Sequence, residues 1–257
     1  MTQFKDYDPE IIYGYSTRKG GVSKGIFESM NLSLSMPDDP ANVKRNFEIW
    51  CDSLGVDPRD MVMVRQTHTA NVIRVDEKNK GQGIYRERIE AVDGMVTNVP
   101  GIALVTSHAD CVPVYLYDPV HRAIGLSHAG WRGTVAEIAG ATVSKMTEEF
   151  GSVPEEMIAM IGPCICREHF ECDRDVVDAV ERMSIDGSEM VDYDPVKGKY
   201  HVSLAGLNRL VLEASGIPED RIDMQDRCTY ENTELYFSHR RQGRERGGQA
   251  ALLMMRR

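Results

Sequence analysis

The sequence predicts a mixed α/β or α+β fold, built as a single domain over residues 1–257. The chain of 257 residues is long enough to bury a substantial core, and it has the length of one large domain or two small ones. Its residues are 42% hydrophobic and 27% charged, as is typical of soluble globular proteins. Predicted strands and helices are interspersed without the regular alternation of a doubly wound fold, which favours a mixed α/β or α+β domain over that class.

Eight short apolar stretches, flanked by glycine, proline or polar residues, predict strands. They cover residues 11–17, 61–64, 72–75, 102–107, 112–117, 123–127, 157–161 and 250–255. Four stretches with apolar residues at helical spacing predict helices over 42–54, 133–150, 173–183 and 204–215. The first two are followed by Gly55 and Gly151, and glycine commonly ends a helix.

The composition argues against some classes of function. A net charge of −10 disfavours nonspecific binding to nucleic acid, although a local cluster of arginines still permits a small anionic substrate. The first eight residues lack the apolar segment of a signal peptide, and no apolar run approaches the roughly 20 residues of a membrane-spanning helix. We therefore expect a cytoplasmic protein that binds neither nucleic acid nor membranes.

The six cysteines are scattered along the chain, and a domain of this size does not need disulfides. In a reducing cytosol we expect free thiols or metal ligands. Cys164 and Cys166 form a Cys-x-Cys pair, which differs from the Cys-x-x-Cys spacing of redox motifs and zinc knuckles. No direct chemical role is predicted for this pair.

Three residues at the ends of predicted strands are candidate ligands of one metal ion, namely His68, Cys111 and His128. Strand ends of a mixed sheet can converge, and three nitrogen or sulfur ligands without an obvious fourth are typical of an open, catalytic zinc site. Their separations of 43 and 17 residues are not a metal signature. Taken alone, His128 could equally be a histidine of the core, and Cys111 could be a buried thiol, so both interpretations remain open beside metal binding. His108 ranks lower, because it would lie on the other face of a continuing strand.

Arginines form a second group of candidates. Arg18 lies in a glycine loop, and Arg132 lies in the tryptophan motif, HAGWRGT from residue 128. Arg240 and Arg241 follow a Phe-Ser-His segment. Arginine is the usual forked partner of phosphate, so these four are candidate anion ligands. Arg244 and Arg246 extend the last of these clusters, but they are interpreted first as residues of a solvated loop.

Two further polar residues allow more than one interpretation. Asp93 precedes Gly94, so it is a general base, an acceptor for a ribose hydroxyl, or simply part of an Asp-Gly turn. Asn31, between Met30 and Leu32, equally fits a turn or a cap. Neither residue is assigned a role from its local sequence.

The motifs together resemble those of the bacterial laccase-like proteins, which were long labelled multicopper polyphenol oxidases. Members of that family are now assigned as zinc-containing purine nucleoside phosphorylases with adenosine deaminase side activity. The matching segments are STRKGGVS from residue 16, NL at 31, QTH at 66, DGMVT at 93, ADCVP at 109, HAGWRGT at 128, GPCI at 162, CT at 228 and FSHRR at 237. They follow the family's order and cover nearly the whole chain.

This resemblance implies a fold, a metal centre and a substrate class. The fold would be a layered α/β domain with mixed sheets packed between helices. His68, Cys111 and His128 would be the catalytic and metal-binding residues, with Zn²⁺ expected and copper less so. The expected substrate ligands are Arg18, Asn31, Asp93, Arg132 and Arg240. The partners would be a nucleoside and phosphate, and the protein a monomer or homodimer.

Two positions depart from the family pattern. His108 stands before the Ala-Asp-Cys motif, where a threonine or a similar residue is expected. The segment from Arg246 to Gly248 replaces the Gly-Arg pair that many members carry, which leaves the role of Arg246 open.

The implied reaction is phosphorolysis of the N-glycosidic bond of adenosine, inosine, guanosine or methylthioadenosine. Arginines suit the phosphate, and the metal can polarise or position a reacting oxygen. Zinc-activated water also offers a route to deaminate adenosine. The H-x-E…P-C-x-x-C signature of the zinc deaminases is absent, so deamination is expected only as a side activity.

Three alternatives compete with this interpretation. A multicopper polyphenol oxidase needs many histidine ligands, whereas this chain has 7 histidines. A cysteine hydrolase would use Cys111 as nucleophile and His128 as base. A metal-binding protein without turnover is the third, and no motif favours it.

Overall fold

Two large β-sheets lie face to face between two helical layers. The structure, a computed structural model, describes residues 8–257. The strands are β1 (Ile11–Tyr15), β2 (Met61–Arg65), β3 (Val72–Arg74), β4 (Ile89–Glu90), β5 (Gly94–Thr97), β6 (Ala103–His108), β7 (Val112–Asp118), β8 (Ala123–Ala129), β9 (Ile158–Ile161), β10 (Glu171–Cys172), β11 (Val191–Asp194), β12 (Lys199–Val202), β13 (Ile222–Met224) and β14 (Gln249–Met255). The α-helices are α1 (Pro40–Leu54), α2 (Trp131–Val135), α3 (Ile138–Phe150), α4 (Arg174–Val180), α5 (Leu204–Ala214) and α6 (His239–Gln242).

The two large sheets are both mixed. The five-stranded sheet has the order β1-β14-β6-β2-β4, and the six-stranded sheet has the order β13-β9-β7-β8-β5-β3. Each combines parallel with antiparallel pairs, for example β2 parallel to β6 and β14 antiparallel to β6. A small antiparallel sheet, β10-β12-β11, lies apart from them. The mixed α/β fold class predicted from the sequence is confirmed.

The layers follow from the two-residue alternation of the strands. In β14, Leu252 packs with Phe47 and Trp50 of α1, whereas the next residue, Leu253, packs between the sheets. Strand β7 alternates in the same way, with Tyr117 in the core between the sheets. Successive side chains point to opposite faces of a strand, so strands that are apolar on both faces must be covered on both sides. Each large sheet therefore has one face against its partner and one against helices.

Helices α3 and α5 cover the outer face of the six-stranded sheet. Val143 and Met146 of α3, with Leu207 and Val211 of α5, join the buried cluster on that face. Their spacing of three or four residues gives each helix one apolar side. No helix among residues 8–257 has both the length and the apolar composition required to cross a membrane.

The prediction of a single helix over residues 133–150 is wrong. The chain instead forms α2, which starts earlier at Trp131, and α3, with a break at Glu137, whose φ is 58°. A left-handed residue other than glycine costs about 1–2 kcal/mol. Here the Glu137 carboxylate accepts hydrogen bonds from the amide and hydroxyl of Ser184, at 2.6 and 2.7 Å. Two such bonds at about 0.5–1.5 kcal/mol each offset that cost, and the sequence gives no sign of them.

The other predicted elements are present with shifted ends. All eight predicted strands form, and six short ones were not predicted, namely β4, β5, β10, β11, β12 and β13. The helix predicted over 42–54 begins two residues earlier, because Asp39 caps it and Pro40 occupies its first position. The helix predicted over 173–183 is shorter and ends at Val180.

Candidate metal centre and active-site cavity

Three strand ends bring His68, Cys111 and His128 together. One ligand atom from each residue lies within 4.8 Å of the others. Cys111 directly precedes β7, and His128 lies in β8 opposite Pro113, so the antiparallel register places the cysteine beside the histidine. His68 comes from the loop after β2, in the other large sheet. The group therefore forms where the two sheets meet, and its members are distant in sequence.

A buried carboxylate, that of Asp93, shapes the loop that carries His68. Its Oδ2 accepts hydrogen bonds from the amides of Thr67 and Thr69, at 3.1 and 2.8 Å, and from the Thr69 hydroxyl at 2.9 Å. Its Oδ1 accepts from the His68 amide at 3.1 Å. These bonds hold His68 in the left-handed conformation, with a φ of 62°. The same carboxylate also binds Nδ1 of His128, at 2.9 Å.

The contact between Asp93 and His128 shifts the pKa values of both residues. Burial alone would raise the pKa of Asp93, but hydrogen bonds from His128 and from the amides of Thr69 and Thr67 hold it at about 2. Burial alone would lower the pKa of His128, but Cys111 and Asp93 raise it to about 9 by charge and hydrogen bonding. With Nδ1 occupied by the carboxylate, Nε2 of His128 faces the other candidate ligands. A carboxylate behind a histidine is the usual support for a metal-binding imidazole.

Gly130, in the tryptophan motif, leaves space for the group. A Cβ atom at this position would lie 2.3 Å from Nδ1 of His68 and 3.2 Å from Sγ of Cys111. Such a contact is too short for any residue with a side chain. The motif therefore requires glycine here because the backbone approaches the candidate ligands closely.

His108 lies in the wall beside the group, not on the far face of a strand as the sequence suggested. It is buried, and its ring lies 5.2 Å from that of His128 between centroids. Both ring nitrogens have partners, since Nε2 bonds to the Thr106 hydroxyl at 2.8 Å and Nδ1 to the carbonyl of Cys111 at 3.1 Å. Burial holds the pKa of His108 well below its usual value. A neutral, fully bonded ring positions Cys111 and has no free nitrogen for a metal.

The candidate ligands open onto a cavity of about 440 Å³. Four arginines line it, namely Arg88, Arg132, Arg240 and Arg246. Its apolar and aromatic lining includes Met63, Trp131, Ile165, Phe170 and Leu204. The cavity therefore combines positive charge, apolar surface and a group of potential metal ligands.

Some of the predicted substrate ligands line the cavity and others do not. Arg132 and Arg240 are in its wall, and Asp93 is buried behind the ligand group. Arg18 lies outside the lining, where its guanidinium donates to the carbonyls of Glu28 and Thr233 and stacks on a phenylalanine ring.

Asn31 is also outside the lining and fully buried. Its side-chain oxygen accepts from the amides of Ser33 and Gly248, and its nitrogen donates to Asp38. These three bonds hold adjacent loops together.

Sequence reasoning missed two of the cavity arginines. Arg246, interpreted as part of a solvated loop, is only half-exposed, and its Nη1 donates to the carbonyl of Gly247 at 2.8 Å. That interpretation is wrong because the loop folds back over the cavity, whereas Arg244 is exposed as expected. Arg88 lies in a charged segment before β4 that matches none of the motifs. Only its position in the fold reveals it.

Asp110 fastens the C-terminal loop to the cavity. Its carboxylate accepts from the hydroxyls of Thr229 and Ser238, at 2.7 and 3.0 Å, and from the amide of Arg240 at 2.6 Å. It is buried, with a φ of 81°. The aspartate of the Ala-Asp-Cys motif thus places Arg240 in the wall, while the adjacent Cys111 belongs to the candidate ligand group.

The fold and the site define a class of protein, namely a layered mixed α/β domain with a three-residue, potentially metal-binding group open to a cavity. The family model described as multi-copper polyphenol oxidoreductase laccase matches residues 12–256. The chain is 35% identical to the purine nucleoside phosphorylase YlmD of Bacillus subtilis (strain 168), over 99% of this chain and 92% of that protein. It is also 35% identical to the adenosine deaminase RL5 from an unknown prokaryotic organism, over 91% of this chain and 90% of that protein.

A solved structure agrees with these sequence matches. The crystal structure of YlmD from Geobacillus stearothermophilus superposes with a TM-score of 0.93 at 33% identity, covering 96% of this chain and 93% of that one. The chain therefore belongs to the multi-copper polyphenol oxidoreductase laccase family, as its motifs indicated. The names of its relatives support an enzyme of the purine nucleoside phosphorylase type.

Proposed function

We propose that this protein is a zinc-dependent purine nucleoside phosphorylase with adenosine deaminase side activity. Its substrates would be adenosine, inosine, guanosine or methylthioadenosine, together with phosphate. The observation that carries the proposal is the position of the His68, Cys111 and His128 group, which opens onto a cavity lined by four arginines. The names of the relatives point to the same chemistry.

The charge of the cavity suits an anionic co-substrate. The chain as a whole carries −10, yet four arginines face this cavity. Among the described residues that line it, Asp110 is the only carboxylate, and its oxygens already accept three hydrogen bonds from neighbouring protein groups. Guanidinium groups bind phosphate through paired hydrogen bonds. Arg132 and Arg240 are exposed and would capture phosphate, while Arg88 and Arg246 are half-buried and would bind it more deeply.

The remaining lining suits a purine nucleoside. Trp131 and Phe170 offer aromatic surface to a flat base, and Arg240 lies over the Phe170 ring at 5.2 Å. A volume of about 440 Å³ falls within the range of about 300–1,000 Å³ that is usual for small-molecule sites. The cavity therefore has room for a nucleoside beside a phosphate-sized anion.

The donor set fits zinc. Two imidazoles and one thiolate are nitrogen and sulfur ligands of the kind that Zn²⁺ prefers, and three protein ligands leave one position for a reactant. When bound, the ion would supply Lewis-acid polarisation of a reacting oxygen. Asp93 supports this assignment, because its bond keeps the proton on Nδ1 of His128, so that Nε2 is the nitrogen that would release its proton and bind the metal.

The protein's own residues would contribute positioning and electrostatics. In phosphorolysis a phosphate oxygen bonds to C1′ of the ribose, the C1′–N9 bond breaks, and its electron pair leaves with the purine. The cavity arginines would hold the phosphate and balance its charge as the sugar becomes cationic. The apolar walls would limit the access of water, which would otherwise compete with phosphate.

One observation also favours a second candidate, a cysteine hydrolase. Cys111, His128 and Asp93 form a nucleophile, base and orienting carboxylate, with the His128–Asp93 bond at 2.9 Å. His68 has no part in such a triad, although its loop is held in place by three bonds to Asp93 from neighbouring amides. A role for His68 is explained only by metal binding, so the zinc enzyme is the preferred proposal.

A product assay tests the proposal. Protein of known zinc content is incubated with adenosine, with and without phosphate, and the products are separated. We expect adenine and ribose 1-phosphate that depend on phosphate, with a smaller yield of inosine. Inosine as the main product, independent of phosphate, would make deamination the primary activity. No turnover in the zinc-loaded protein would overturn the nucleoside assignment and favour the hydrolase.

A further inference from the structure

We propose that Cys166, His169, Cys228 and Glu231 form a second metal site, which binds one Zn²⁺-like divalent cation and joins two loops of the cavity wall. The four potential ligand atoms lie within 4.8 Å of one another. None of these residues belongs to the group formed by His68, Cys111 and His128. The proposal rests on this geometry and is independent of the reaction proposed above.

The distances match a tetrahedral site. Nδ1 of His169 lies 3.1 Å from Sγ of Cys166, 3.9 Å from Sγ of Cys228 and 3.6 Å from Oε1 of Glu231. Zinc–sulfur bonds of about 2.3 Å and zinc–nitrogen or zinc–oxygen bonds of about 2.0–2.1 Å place neighbouring ligand atoms about 3.3–3.8 Å apart. The observed separations scatter around that range, so small side-chain movements would complete the coordination.

Each half of the group is built locally. Cys166 and His169 are three residues apart, and the 3₁₀ turn Arg167–His169 folds the imidazole back onto the sulfur. Cys228 and Glu231 have the same spacing in the turn that follows. Ligand pairs with two to four intervening residues are typical of structural zinc sites, and each pair here has two.

Backbone bonds join the two halves. Cys164 pairs with Cys228 in an isolated β-bridge, with the amide of Thr229 donating to the carbonyl of Cys164 at 2.9 Å. The amide of Cys166 points at Sγ of Cys228, at 3.3 Å. A backbone donor on a sulfur stabilises its thiolate, as the supporting hydrogen bonds of a metal site do.

The surroundings hold the imidazole and leave a path for the ion. The ring of His169 stacks on Tyr230, with 4.2 Å between centroids and 20° between planes. The guanidinium carbon of Arg241 also lies over the Tyr230 ring, 4.5 Å from its centroid. Glu231 is exposed, so the cation can enter from solvent on that side. On binding, the thiols of Cys166 and Cys228 would each release a proton to water, and the carboxylate would complete the set of four.

The site would act on the cavity from its flank. Nη1 of Arg240 donates to the carbonyl of His169 at 3.0 Å, and the guanidinium lies over the neighbouring Phe170. Both Phe170 and Arg240 line the cavity. Four protein ligands leave no open position, so the ion would fix the wall without reacting with substrate.

Metal content of the intact protein tests the proposal. Metal-free, thiol-reduced protein is reloaded with Zn²⁺, freed of excess metal and measured by mass spectrometry. Because there are two groups, we expect two ions per chain in the wild type and one in Cys166→Ser, His169→Asn or Cys111→Ser. Cys172→Ser is the matched control, since this half-buried cysteine belongs to neither group, and it should retain both ions.

Cobalt spectroscopy identifies the ligands without relying on activity. Co²⁺-loaded Cys111→Ser should show thiolate charge-transfer absorption and the visible bands of tetrahedral cobalt. The double variant that also carries Cys166→Ser should lose most of the charge-transfer absorption and most of the visible bands. Circular dichroism establishes that each variant is folded. One ion per chain in the wild type that is lost in folded Cys166→Ser would still support the second site. One ion that this variant retains, or two ions in the folded variant, would overturn the second site. Neither result would alter the phosphorylase proposal, whose product assay depends on the first group.

Discussion

The two cysteine–histidine groups of this protein differ in how many ligands they offer and where they face. His68, Cys111 and His128 provide three potential ligands beside the cavity, whereas the group around His169 provides four on its flank. Open coordination is typical of catalytic metal sites and complete coordination of structural ones. Ligand number therefore separates the proposed reacting centre from the proposed structural one within a single molecule.

The two groups also differ in the elements of the fold that position their ligands. The first group joins two sheets and depends on the β7–β8 register and on Asp93, so its parts are positioned by the core of the fold. The second uses two turns, each with ligands three residues apart. A centre that must position a reactant benefits from rigid strands, whereas a site that only joins loops can lie at the surface. The experiments below test this distinction, beginning with the largest expected effect.

Replacing Cys111 by serine should have the largest effect. Loss of a thiolate ligand should remove the metal from the first group and lower nucleoside turnover by at least about 100-fold, since even the supporting partners of ligands contribute about 10–100-fold. Metal content and kcat are measured on the same folded protein. Full turnover by Cys111→Ser whose first group has lost its metal would show that neither that metal nor the thiolate is needed.

Gly130→Ala should approach that effect without changing a ligand. The added methyl group would lie 2.3 Å from Nδ1 of His68, so the imidazole must move. Displacement of a reacting group by about 1 Å can lower the rate by about 100-fold. Gly14→Ala is the control, because its nearest neighbour would be at an ordinary 3.5 Å. Equal kcat for both variants would contradict the steric account.

Asp93→Asn should weaken metal binding by about 10–100-fold. The amide cannot offer two charged acceptors to the His68 loop and to Nδ1 of His128 at once. Asp118→Asn is a close control, since Asp118 is also buried and bonds Nδ1 of His121 at 2.8 Å, remote from the cavity. We expect that control to alter thermal stability but not metal affinity, as measured by competition with a chelator.

Arg240→Gln should raise the KM for phosphate about tenfold, which corresponds to about 1.4 kcal/mol. Loss of one charged hydrogen-bond donor accounts for a change of that size. Arg18→Gln is the comparison, because Arg18 binds backbone carbonyls outside the cavity and should affect stability instead. An equal rise in KM for Arg18→Gln would support the sequence-based expectation that Arg18 binds substrate.

Cys166→Ser should have the smallest kinetic effect. Without its metal, the loop carrying His169 would hold Arg240 less firmly, so the KM for phosphate should rise a few-fold while kcat changes little. Steady-state kinetics at several phosphate concentrations separate the two constants. A large fall in kcat would mean that the second group takes part in the chemistry, and the contrast between the two sites would fail.

The sequence determined eight of the strands, most of the longer helices and the motif residues. Short apolar stretches between turn residues predicted eight strands, and Gly55 ended α1 as expected, because these are short-range effects of side-chain composition and backbone freedom. The motifs and their resemblance to a known family singled out His68, Cys111 and His128 before any coordinates, and their convergence follows from strand register.

Only the tertiary structure decided which distant residues meet. The Cys-x-Cys pair gave no signal, because Cys164 packs into the core whereas Cys166 faces Cys228, 62 residues away. Arg246 lines the cavity, and the helix predicted over 133–150 is broken at Glu137, which bonds to Ser184. Both outcomes depend on contacts with segments that are remote in sequence. Local sequence fixes periodicity and turns, but contacts between remote segments depend on how sheets and loops pack, which no short window of residues encodes.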